Sequence, residues 1–300
     1  MFKDKDVICF FGDSITASGL WEAEVYQFLR KKYKIKCYNC GVSGGSARRA
    51  KGYLYSECLI YNPDYVVLMF GMNDCNIELY AEEQAEPETL EERREEFFRI
   101  HRESYEEIIQ NCIKAGSEVI ICLPTPYDEV RKHETKVIHY QKALEKAAEF
   151  QIEMAEKYNC FVVNFKDNML PLLKYNEIIR ADRVHPTEFG YHVMAQVFLK
   201  EIGEIEKCDF DTPFEFEEWN IKRREWEIKI HKLNYVELCD SYDDGYSKGK
   251  SVDEIKDIVR KKLENYKGDN EFICNAYTEY IEKGHLRLKY KGEIVKNTIF

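Results

Sequence analysis

The chain reads as an α/β protein with a doubly wound, parallel five-stranded sheet and a mainly helical C-terminal extension. Two observations lead there. Five short apolar, β-branched or aromatic runs recur, at Val7–Phe11, Ile35–Asn39, Tyr65–Phe70, Glu118–Leu123 and Cys160–Phe165. Several are apolar without alternation, as parallel strands buried on both faces must be. Segments of helical period lie between them, and strands alternating with helices wind into a parallel sheet.

The first two runs are joined by residues 20–33, which place Trp21, Val25, Phe28 and Leu29 on one helical face. Residues 88–115 form a longer helix with Phe97, Phe98, His101, Tyr105, Ile108, Ile109 and Cys112 on one stripe. Gly116 follows as its C-cap. Residues 136–157 and 187–204 are also helical. After about residue 205 the pattern changes. Asp211-Thr212-Pro213 reads as a hinge, and Phe216, Trp219, Trp226, Ile230 and Leu233 follow at helical spacing. Ser251-Val252-Asp253-Glu254 is a capping box. Residues 269–283 form a further helix ended by Gly284, and a terminal hairpin spans 286–299 around Lys291-Gly292. The expected division is therefore 1–205 for the sheet domain and 206–300 for the extension. The extension serves as core packing, a lid, or a surface that pairs two copies.

Composition narrows the function. The chain has 300 residues, 44% of them hydrophobic, enough for a packed core. Its net charge is −11, and neither half is basic: 26 Lys/Arg stand against 34 Asp/Glu in residues 1–205, and 18 against 21 in 206–300. Nucleic acid and anionic membranes need a basic surface, so both are unexpected partners. Eleven cysteines, an odd number and widely scattered, point to a reducing compartment. No signal h-region precedes the first strand, and no apolar run approaches the roughly 18 residues of a bilayer span. A cytoplasmic location is expected. Nine glutamates between Glu78 and Glu96 form either a solvated helix face or a negative rim that disfavours anionic substrates.

Ligands of such sheets bind beyond the carboxyl ends of the strands, so chemistry should sit at the strand-to-helix junctions. Four segments stand out. Gly12-Asp13-Ser14-Ile15-Thr16 follows the first strand. A Ser at such a turn exposes its hydroxyl and its own N–H to one space. Taken alone, the segment reads first as a helix N-cap, for which Ser and Asp are both suited. Gly41-Val42-Ser43-Gly44-Gly45 follows the second strand, and its glycines can leave N–H groups facing an anion. Asn73-Asp74, after the third strand, offers an amide donor for an oxyanion, or a cap. Asp182-Arg183-Val184-His185-Pro186 lies late in the chain. Pro186 pushes His185 out of helical conformation, and Asp182 can accept from its imidazole.

The four blocks in this order resemble the SGNH (GDSL-type) esterase and lipase family, over roughly residues 5–203. The resemblance implies a flavodoxin-like sheet, the SGNH hydrolase fold. It implies Ser14 as nucleophile, His185 as general base and Asp182 as its orienting partner. The N–H groups of Ser14 and Gly44 and the amide of Asn73 would form the oxyanion hole, with Asp13 and Asp74 in support. Among Gly41, Gly44 and Gly45, Gly44 is chosen because it matches the family's Ser-Gly pair. Ile15-Thr16 departs from the Leu of the eponymous motif, as in branches acting on small esters and carbohydrate esters. The implied reaction is hydrolysis of small acyl esters, acetyl foremost, through an acyl-enzyme and without metal or cofactor. An acyltransferase would use the same site, and a silent carbohydrate-binding or scaffold protein would keep its shape. Cys37-Tyr38-Asn39-Cys40 has the spacing of a redox or zinc pair, but no second C-x-x-C exists and the motif straddles a strand. Two buried thiols are expected there. Cys75 could line the pocket, and His139 and His192, on expected helices, are read as structural or surface groups.

Overall fold

The computed structural model describes residues 1–81, 87–130, 137–174 and 177–212, together with 289–290 and 293–294. Five parallel strands form the sheet: Val7–Gly12 (β1), Lys36–Asn39 (β2), Tyr65–Met69 (β3), Glu118–Cys122 (β4) and Phe161–Val163 (β5). Their order is β2-β1-β3-β4-β5, the flavodoxin-like arrangement. The chain steps from β1 outward to β2, then crosses back to β3 on the other side of β1. At that reversal the connecting loops part and leave a crevice at the carboxyl ends. Gly12 is in register with Met69, so the loops after β1 and β3 leave the sheet at one height.

The absence of alternation in β1 has its expected meaning. Ile8 and Phe10 point into one apolar layer, Cys9 and Phe11 into the other. On the first face, helices Leu20–Leu29 (α2) and Glu188–Glu201 (α7) pack around Trp21, which is fully buried. Its ring meets Phe10, Phe198 and Phe165 at centroid separations of 5.1, 5.4 and 5.5 Å. On the second face lie Ala47–Glu57 (α3) and Pro87–Lys114 (α4). The α4 stripe buries His101, Tyr105, Ile108, Ile109 and Cys112. Gly116, at φ +93°, ends it: the Ser117 N–H reaches back to Cys112 O at 3.0 Å. Tyr140–Tyr158 (α5) contributes to both layers.

Several boundaries differ from expectation for local reasons. Helix α3 has no counterpart in the sequence reading, because Arg48, Arg49, Lys51 and Gly52 interrupt a stripe reduced to Ala47, Ala50, Tyr53 and Leu54. The fifth strand stops at Val163. There the Asn164 side chain accepts from Asp167 N at 3.0 Å and opens the short helix Phe165–Met169 (α6). Helix α5 begins at Tyr140 rather than 136, since His139 sits at φ +65°. Ser14–Ala17 forms a single turn (α1) just past β1.

Residues 204–212 stay on the first face. Glu204 bonds Lys32 and Tyr33, each at 3.1 Å, and Cys208 and Phe210 pack partly buried against the core. His192 explains their course. It is buried, with Nδ1 2.9 Å from Glu24 and Nε2 2.8 Å from Asp209 O. Its burial opposes the charged form, but the Glu24 carboxylate outweighs that and raises its pKa. Its expected structural role thus takes a specific form. In the extension, Lys289–Tyr290 (β6) pairs antiparallel with Glu293–Ile294 (β7), within the expected terminal hairpin. The expected Trp219 and Trp226 stripe, the capping box at 251–254 and the helix 269–283 lie outside the described residues.

Candidate active site

The turn that carries Ser14 is built by its cap. Asp13 is the N-cap of α1, and its Oδ1 accepts from the Ile15 N–H at 2.9 Å. Capping therefore falls to Asp13, and Ser14 is the first helical residue. Its N–H has no acceptor within the helix. The loop after β2 is pressed against this turn. A Cβ on Gly41 would come within 2.7 Å of Ala17 Cα, so no larger residue fits. Asn39 joins the two segments, donating to Thr16 O at 2.7 Å and accepting from Gly41 N at 2.9 Å.

Those bonds sort the three candidate glycines. The Gly41 N–H is taken by Asn39, and the Gly45 N–H by Val42 O at 2.9 Å. Gly44 alone has no such bond among the described residues. It is exposed, at φ +69°, where an L side chain would be strained. Asn73 lies opposite and donates to Gly45 O through Nδ2 at 2.8 Å, which leaves its second amide hydrogen available. The neighbouring carboxylate of Asp74 accepts from Ala47 N at 2.8 Å and opens α3. From below, Tyr140 Oη donates to Met72 O, and Gln151 Nε2 to Phe70 O at 2.8 Å.

His185 comes from the other side of the crevice. Its Nε2 is 2.7 Å from Ser14 Oγ and its Nδ1 is 2.9 Å from Asp182 Oδ2. The second contact makes Nδ1 the protonated nitrogen, so Nε2 is left to accept from the serine. Asp182 Oδ1 accepts from the Val184 and His185 backbone N–H groups, each at 2.9 Å. Partial burial works to raise the Asp182 carboxyl. The two N–H groups and the imidazole outweigh it, so its pKa lies below the ordinary value. The geometry thus brings together Ser14, His185 and Asp182, with Gly44 and Asn73 at the same crevice.

Three residues that hold this loop escape the sequence reading. Arg183 is buried at φ +68°, donates from Nε to Asp128 O at 2.9 Å, and stacks 4.7 Å above the Tyr127 ring. The Asp128 N–H returns a bond to Arg183 O at 3.1 Å. The available signal is Pro124-Thr125-Pro126-Tyr127-Asp128, a rigid segment at the carboxyl end of β4.

Asp13 carries an unusual proton. Burial, with the Asp74 carboxylate adding to it, raises its pKa from 3.8 to about 7. A folded-state pKa above the unfolded value means that the native chain binds this proton more tightly. Its contribution is then full below about pH 4 and is lost as pH rises through about 7. Asp13→Asn keeps the cap acceptor and removes the titration. Its Tm, measured from pH 4 to 8, should fall less with pH than that of the wild type. Parallel Tm curves would refute the assignment.

The cysteines sit away from this chemistry. Cys37 and Cys40, three apart on an extended segment, face opposite layers and cannot chelate one ion. The Sγ atoms of Cys9, Cys40 and Cys58 do lie within 4.8 Å of one another, all buried. Burial raises the Cys9 and Cys58 thiols well above their ordinary range. Cys75 lines a different cavity, of about 280 Å³, with Tyr80, Arg94, His139 and Lys146.

The fold is a flavodoxin-like parallel sheet with Ser14, His185 and Asp182 brought together at the carboxyl ends of its strands. A model of the GDSL-like lipase/acylhydrolase family matches residues 8–198, so the chain belongs to that family and is a carboxylic ester hydrolase. An acetylxylan esterase from Geobacillus stearothermophilus is 24% identical over 218 residues, 65% of this chain and 93% of that relative. A solved structure of a catalytic mutant of such an esterase, from the same organism, superposes with a TM-score of 0.57 at 19% identity, covering 67% of this chain and 96% of that one. A gut microbial diltiazem-metabolizing enzyme superposes with a TM-score of 0.56 at 22% identity. That match covers 68% of this chain but spans only about half, 48%, of the other. At such identities the structural likenesses speak for the fold. No described helix is long and apolar enough to cross a membrane.

Proposed function

We propose that this chain is a serine esterase that removes short acyl groups, acetyl foremost, from small soluble substrates such as acetylated carbohydrates. The observation that carries it is the unbroken chain Asp182–His185–Ser14, with contacts of 2.9 and 2.7 Å. His185 takes the Ser14 proton as Oγ attacks the ester carbonyl. The oxyanion meets the N–H groups of Ser14 and Gly44 and the free amide hydrogen of Asn73. His185 then passes the proton to the leaving alcohol. Water, activated by the same imidazole, attacks the acyl-serine, releases the acid and restores Ser14. Asp182 stays ionised throughout and stabilises the imidazolium. The acetylxylan esterase relative supports an acetyl ester of a sugar as substrate.

A fluorophosphonate probe tests the assignment directly. The expected result is one covalent adduct per chain, located on Ser14 by peptide mass spectrometry and blocked by prior acylation. No adduct would favour a silent binding protein, and an adduct on another residue would displace Ser14. Product analysis with added alcohols then separates hydrolysis from acyl transfer.

A further inference from the structure

Helix α4 reaches the crevice from behind through one polar residue. The side chains of His101 and Asp74 are each 1% exposed, and His101 Nδ1 lies 3.0 Å from Asp74 Oδ1. Neither ring nitrogen of His101 nor Asp74 Oδ2 has a hydrogen-bond partner among the described residues, so the Nδ1–Oδ1 contact is a close polar approach and not a formed hydrogen bond. Each group is thus the other's polar neighbour where an unpaired one is costly. The ring is otherwise enclosed by Phe98, Tyr105 and Phe150, at centroid distances of 6.3, 5.3 and 5.9 Å. An apolar side chain would suit those neighbours as well, so packing alone does not account for a histidine.

Asp74 occupies a junction. It follows Asn73 directly, and its Oδ1 holds the Ala47 N–H, three residues past Gly44. One carboxylate therefore ties the loop after β2 to the loop after β3, the two that carry the oxyanion donors. A carboxylate held by one N–H can swing about that bond. A second contact from a long, packed helix removes that freedom.

We propose that His101 is a positioning residue for the oxyanion hole. By holding Asp74 it fixes the separation between the Gly44 N–H and the Asn73 amide. The inference rests on the reading of Ser14, Gly44 and Asn73 given above. It differs from a purely structural role in what it predicts for kinetics. Misplacing a catalytic donor by about an ångström lowers the rate by up to about a hundredfold. The donors act on the transition state more than on bound substrate, so KM should hardly move.

The test compares His101→Leu, His101→Asn and His101→Gln by kcat, KM and Tm on a short acetyl ester. His101→Leu should lose about tenfold to a hundredfold in kcat with KM nearly unchanged. Asn places an amide N–H where Nδ1 stood and should recover most of the rate. Gln places it where Nε2 stood and should not. A wild-type kcat in folded His101→Leu, whatever its Tm, overturns the proposal. If His101→Leu does not fold, equal impairment in the Asn and Gln variants overturns it instead. Ser14→Ala keeps the two readings apart. An inactive Ser14→Ala beside a fully active His101→Leu removes only the role of His101. A fully active Ser14→Ala removes the site itself.

Discussion

Ser14→Ala is expected to lower kcat on a short p-nitrophenyl or acetyl-sugar ester by about a millionfold, and His185→Ala by about as much. In the proposed mechanism the two side chains, 2.7 Å apart, act as one proton-transfer unit. Neither has a job without the other, so the double variant should lose no more than either single one. Steady-state rates on all three, with the intact chain as reference, measure this. Multiplying losses would mean independent roles and would sink the triad reading. Folding should be spared, because Asp13, not Ser14, caps α1, and Ser14 is only partly buried. A Tm for Ser14→Ala close to that of the wild type is part of the prediction. Residual activity would come from the oxyanion donors and substrate binding, which survive the substitution.

The sheet is legible because burial on both faces leaves a mark that needs no tertiary knowledge. Unbroken apolar runs such as Tyr65–Phe70 can lie nowhere else. Helix α4 is legible for the related reason that one long stripe faces one layer. Helix α3 is hidden because its anchor is remote: the Asp74 carboxylate that starts it is 27 residues away in sequence. Site geometry follows the same divide. Asp182 and His185 are three residues apart, so their contact is local and can be read from spacing. The contact of Ser14 with His185 spans 171 residues and is reached through resemblance. Arg183, Tyr127 and Asp128 carry no chemical signature, since they act by holding a backbone loop in place. In the sequence His101 is one more member of an apolar stripe. Only the fold puts the Asp74 carboxylate beside it.

Replacing Asn73 by Ala is expected to cut kcat by about a hundredfold to a thousandfold while KM stays nearly constant. The oxygen of a bound ester is a weak acceptor, whereas the tetrahedral oxyanion carries nearly a full charge. A donor aimed at the second contributes little to ground-state binding, and that asymmetry is what appears in kcat. Asn73 has a second attachment, to Gly45 O at 2.8 Å, so Ala also frees the loop that bears Gly44. Asn73→Asp separates the two effects. It matches the shape of Asn but offers two acceptors and a negative charge at the oxyanion, so it should be slower than Ala. The expected order of kcat is thus wild type, then Asn73→Ala, then Asn73→Asp, measured at a pH where the new carboxylate is ionised. If Asn73→Asp equalled or exceeded Asn73→Ala in rate, the amide would be serving only to hold the loop. If KM rose with kcat unchanged, Asn73 would be binding substrate and not the transition state.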